Sequence, residues 1–127
     1  WSMAEKQKVV EIRNEASGKN VRLNDNKIDA NGGHGPYAKL RLIKKNGVVK
    51  FQSTKNDKEF VALLKGGVQV GMGGKWCEFT VVKHGQKVVS FKSAHTEHFL
   101  GFTNEGHPKA CKSEKKKEAQ FVLTTVQ

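Results

Sequence analysis

Five lysines fall within nine residues of the stretch HPKACKSEKKKEAQF: Lys109, Lys112, Lys115, Lys116 and Lys117. Ammonium groups at that density could hold sulfate or phosphate with an affinity that falls as salt rises; on a plain solvated connection they would only keep the chain soluble. Other residue types that could do chemistry are less organised. His95 and His98 in HTEH, with His107 and Cys111 nearby, are zinc-ligand types, but one HxxH in a hairpin turn reads as a solvated turn, so no metal is expected. Gly66, Gly67, Gly71, Gly73 and Gly74 precede neither a GK[ST] nor a helix, which makes them turn glycines rather than a phosphate loop. Cys77 would need an exposed imidazole beside it to act as a nucleophile, and it opens a strand instead. With its carboxylates scattered through turns, the chain reads as no enzyme, with no catalytic residues and no cofactor.

Composition bounds what must position these groups. A chain of 127 residues fits one domain with a core that needs no disulfide or metal to hold it. Its 23 Lys+Arg against 12 Asp+Glu give +11, a field that attracts nucleic acid, acidic polysaccharide, anionic lipid or acidic protein without choosing among them. The first third, residues 8–45, carries nine basic and four acidic residues and residues 85–127 carry seven and four, so the lysine run is not the main source of charge. Cys77 and Cys111 form no CxxC and read as buried, reduced thiols. No window reaches the roughly 18 apolar residues of a membrane span, and the start lacks the apolar core of a secretory signal. Residues 1–7 read as an N-terminal extension, with Trp1-Ser2-Met3 a remnant of cloning. The expected compartment stays open between the cytoplasm and export without a recognisable signal.

An internal repeat supplies the architecture. VVEIRNEASGKNVRL from Val9, VVKFQSTKNDKEFVAL from Val48 and VVSFKSAHTEHFLGF from Val88 run in near register, spaced 39 and then 40 residues apart. Val21, Val61 and Leu100 correspond, as do Leu23, Leu63 and Phe102. A third run aligns Ile28, Val68 and Pro108, then Ala30, Val70 and Ala110. The closing runs AKLRLI, CEFTVV and AQFVLT align Leu40, Phe79 and Phe121, then Leu42, Val81 and Leu123. Alternation over four to six residues, broken by Gly, Asn and Asp, is strand and turn chemistry, and no segment of ten residues holds a helical period. Three repeats of about 8–45, 46–84 and 85–127, four strands each, predict an all-β, twelve-stranded barrel with pseudo-threefold symmetry, because closure buries three copies of one apolar stripe without sheet edges. That is a β-trefoil.

The pattern from Lys8 to Val126 resembles the β-trefoil group of fibroblast growth factors, interleukin-1-like cytokines, fascin and hisactophilin. Phe99-Leu100-Gly101-Phe102, Glu105-Gly106, the lysines from Lys112 to Lys117 and Ala119-Gln120-Phe121-Val122 are similar to the last third of fibroblast growth factors. Ser53 to Leu63 is similar to that family's second repeat. Of its central motif, Trp76-Cys77-Glu78-Phe79 keeps Cys77 and Phe79 only. The resemblance implies heparan sulfate binding by Lys109, Lys112, Lys115, Lys116 and Lys117, with a protein receptor as a further partner. The alternative it implies is an intracellular scaffold of the fascin or hisactophilin kind, whose basic faces meet actin or an anionic membrane. No Gln-x-Trp lectin motif is present. Nucleic acid is not an expected partner, since no stacking aromatics interleave the basic residues, and a monomer is expected.

Overall fold

The pairing of the first strand with the last closes the molecule. In the computed structural model, which describes residues 4–126, β1 (Lys6–Asn14) lies antiparallel to β12 (Phe121–Thr125), with Ile12 opposite Leu123. From β1 the ring continues through β4 (Leu40–Lys45), β5 (Val48–Ser53), β8 (Phe79–Lys83) and β9 (Val88–Ser93) back to β12. These six strands form a closed barrel. The other six form three hairpins: β2 (Asn20–Asn24) with β3 (Lys27–Gly32), β6 (Phe60–Leu64) with β7 (Gly67–Gly71), and β10 (Phe99–Phe102) with β11 (Pro108–Cys111). The fold is therefore the expected twelve-stranded β-trefoil. β1 begins at Lys6, two residues ahead of the repeat boundary read from the sequence; Trp1-Ser2-Met3 lies outside the described residues.

Repeat positions meet in space as the alignment requires. Leu23, Leu63 and Phe102 are each 0% exposed, as are Leu40, Phe79 and Phe121. Phe91 is the hub of the aromatic packing, 4.8 Å from Phe51 and 5.4 Å from Phe121 between ring centroids. Burial weakens toward the barrel end away from the hairpins: of the aligned set Leu42, Val81 and Leu123, Leu42 is buried, Leu123 half-buried, and Val81 41% exposed.

Two further threefold devices hold the barrel to its hairpins. After the first strand of each repeat, a buried side-chain oxygen accepts two backbone N–H groups: Asn14 from Ala16 and Ser17, Ser53 from Lys55 and Asn56, Ser93 from His95 and Thr96. These local bonds satisfy the turn where the ladder stops. Before the closing strand, a short 3-10 turn recurs at Pro36–Ala38, Lys75–Cys77 and Lys117–Ala119, each burying its last residue. Small residues make room beneath those turns. A Cβ at Gly71 would lie 2.9 Å from Cys77 Sγ, and one at Gly101 would lie 2.2 Å from Cys111 Sγ. Each thiol fills the space left by a glycine, at a different position in its repeat.

Candidate functional site

The lysine run lies between β11 and β12, where the third repeat returns to the barrel. Lys109 sits on β11 opposite Gly101, and its Nζ donates to Glu118 Oε1 at 2.8 Å. That hydrogen bond raises the Lys109 pKa above its ordinary value and partly neutralises the group. Past Cys111 the chain is pinned at several points. Lys115 N donates to Ser113 Oγ, Gln120 Nε2 to the Glu114 carbonyl, and Asn14 Nδ2, from the buried end of β1, to the Glu118 carbonyl at 2.9 Å. Ala119 N then closes the 3-10 turn on the Lys116 carbonyl. The loop has a fixed backbone.

The structure divides the five lysines. Lys109, Lys112 and Lys116 surround a concavity of about 280 Å³ whose wall includes Ala110, Cys111 and Ser113. Lys115 and Lys117 are exposed and do not line it. Glu118 also borders the concavity. An anion entering it would meet the Lys112 and Lys116 ammonium groups first, with Lys109 already engaged. Cys111, buried beside them, keeps its proton: burial raises its pKa, Glu118 adds to the rise, and Lys109 and Lys116 offset only part of it. Cys77 is raised in the same way, chiefly by burial, and both thiols are free. A protonated thiol is a weak nucleophile.

Of the histidines singled out by spacing, His95 makes side-chain contacts, while His98 and His107 donate their backbone N–H groups to Thr96 Oγ1 and Thr103 Oγ1. His95 Nε2 meets Glu78 Oε1 at 2.7 Å, with its ring edge-on to Trp76. Among the described residues no three His, Cys, Asp or Glu side chains gather as metal ligands. His84 Nε2 meets Ser90 Oγ at 2.7 Å, yet the Ser90 hydroxyl donates its own proton to the Ala119 carbonyl, so His84 acts there as donor. The pair ties the β8–β9 turn to the third 3-10 turn. Glu11, nearly buried on β1, receives His34 Nδ1 at 3.0 Å and Lys39 Nζ at 3.5 Å.

One basic cluster escaped the sequence reading. At the barrel end away from the hairpins, Lys8, Lys44, Lys83 and Lys87 ring an apolar basin of about 760 Å³. The signal was present in the alternation: Lys8-Val10-Ile12, Leu40-Leu42-Lys44 and Phe79-Val81-Lys83 continue the inward stripe by one more step of two. A lysine count along the chain shows no run there, because β1, β4, β8 and the β8–β9 turn each contribute separately.

No protein-family model and no curated protein matches this chain. The fold and the two basic clusters define the class on their own: a basic β-trefoil with a structured lysine loop at one end of the barrel and a lysine-rimmed mouth at the other.

Proposed function

We propose that this protein is a non-enzymatic, fibroblast-growth-factor-like binding protein that holds heparan sulfate or a comparable polyanion on the loop from Lys109 to Lys117, with a protein receptor as a further partner. The observation that supports this reading most is the order of the loop. Four lysines project from a backbone fixed by Ser113, Gln120, Asn14 and the 3-10 turn, so little backbone entropy is lost when a chain of sulfates engages them. Lys112 and Lys116 form the centre of the site, Lys115 and Lys117 extend it, and Lys109 supplies its edge through the pair with Glu118.

The test is retention on immobilised heparin across a salt series. Replacing Lys112, Lys115, Lys116 and Lys117 by Gln is expected to move elution to markedly lower salt, with thermal stability nearly unchanged because exposed charges contribute little to folding. The matched control replaces Lys19, Lys27, Lys58 and Lys65, which are exposed and belong to no ion pair among the described residues. Equal shifts in both variants would mean that retention follows total charge. The scaffold reading, with actin or an anionic membrane as partner, draws support from the separate basic ring at the barrel mouth; cosedimentation with filaments and vesicles tests it.

A further inference from the structure

The mouth of the barrel combines features that the polyanion reading does not use. Its floor is apolar, made by Leu42, Val49, Val81, Phe91 and Leu123, and its rim carries Lys8, Lys44, Lys83 and Lys87 with Gln86. Among the described residues no Asp or Glu lines it. Among the described residues none of the four lysines takes part in an ion pair. A volume of about 760 Å³ lies within the range of about 300–1,000 Å³ usual for small-molecule sites.

The plain alternative is a barrel end kept soluble by lysines whose stems cover its apolar layer. Coverage is incomplete, however. Val81 points along the inward stripe of β8 and is 41% exposed, while Val89 and Leu123 are half-buried beside it. Apolar floor left open under a ring of unpaired ammonium groups matches one chemistry: a molecule with an acidic head and an apolar tail. A sulfated sugar would leave the floor wet, and a neutral apolar ligand would leave four positive charges without a partner. Repeat symmetry sharpens the point, because Lys44 and Lys83 occupy the same repeat position, where the third repeat has Thr125.

We propose that the barrel mouth is a binding site for a single-chain anionic amphiphile, with the tail against Val81, Val89 and Leu123 and the acidic head among Lys8, Lys44, Lys83 and Lys87. This site is separate from the Lys109–Lys117 loop: β12 runs from Phe121, next to that loop, to Thr124 and Thr125, which line the mouth.

Calorimetric titration with laurate, below its micelle concentration and at low salt, tests the proposal, with methyl NMR signals of Val81, Val89 and Leu123 as the local readout. One-to-one binding with shifts at those methyls is expected. Lys44→Gln with Lys83→Gln is expected to weaken it at least tenfold, and Val81→Asp, at an exposed position, to weaken it likewise by placing a carboxylate on the floor. Lys115→Gln with Lys116→Gln should leave laurate binding unchanged, while Lys44→Gln with Lys83→Gln should leave the loop's contribution to heparin retention intact. Dodecyl maltoside, which has the same tail and a neutral head, is expected to bind at least tenfold more weakly. Absence of laurate binding, equal weakening by the loop variant, or equal affinity for the maltoside would each overturn the site. Phosphatidylserine vesicles, whose lipids carry two chains, test the commitment to a single-chain ligand: laurate binding without cosedimentation supports it, and cosedimentation that is lost in the Lys44 and Lys83 variant overturns it in favour of a bilayer surface.

Discussion

Gly101 shows how closely one residue is bound to its neighbours. A methyl group there would lie 2.2 Å from Cys111 Sγ and 3.0 Å from the Glu118 carbonyl, which belongs to the third 3-10 turn. Gly101→Ala is expected to destabilise by about 1–3 kcal/mol through overpacking. Adding Cys111→Ala should return part of that loss, since it removes the nearest clash and leaves those with the Glu118 and Lys109 carbonyls; urea denaturation of the two single variants and the double variant measures the coupling. The thiols carry a pH dependence as well. Burial raises both cysteine pKa values in the folded state, so the unfolded chain releases these protons first as pH climbs. The stability they contribute is complete below the ordinary thiol value of about 8.5 and declines above it until the native thiols ionise too. Urea midpoints between pH 7 and pH 10 should fall more steeply for the native chain than for the Cys77→Ala, Cys111→Ala variant.

At the scale of elements, the repeat positions predict stability effects that differ by device. Leu63→Ala and Leu23→Ala each open a cavity beneath a hairpin and should cost about 2–5 kcal/mol, with Phe102→Ala at the upper end. Ser53→Ala acts otherwise, leaving two turn N–H groups, on Lys55 and Asn56, without their acceptor. A loss of about 1–3 kcal/mol is expected. Asn14→Ala should cost more than Ser53→Ala, because the Asn14 amide also donates to the Glu118 carbonyl and so joins the first repeat to the third. Chemical denaturation that ranked these two variants the other way would show that the cross-repeat bond contributes nothing.

For the whole molecule, the decisive contact is the pairing of β1 with β12, which places residues near both ends of the described chain side by side; Val126 N donates to the Val9 carbonyl at 2.8 Å. The chain should therefore tolerate relocation of its break. A circular permutant with residues 4 and 126 joined by a short glycine-rich linker, and opened at the two-residue turn Asn46-Gly47 between β4 and β5, is expected to fold to the same barrel, since exposed turns accept new termini. Its urea m-value should agree with that of the parent to about 15%. A clearly smaller m-value would mean that the β4–β5 hairpin is needed to close the ring.

The sequence by itself determined the fold, because a period of two repeated three times admits few ways of burying one apolar stripe, and Leu23, Leu63, Phe102, Leu40, Phe79 and Phe121 all stand in the core where that repeat aligned them. Local composition likewise exposed the lysine run as a candidate site. What it could not express was the grouping of residues distant along the chain. The 3-10 turns escaped notice because three residues hold no periodicity, and the pairing of Lys109 with Glu118 depends on where β11 leaves the loop. Val81 shares its repeat position with Leu42 yet remains open, since how far a barrel end is covered depends on the neighbouring turns rather than on alternation within a strand. The lysine-ringed mouth is the clearest case. Its four ammonium groups come from three separate strands and a turn, and only closure of the barrel brings them over one apolar floor.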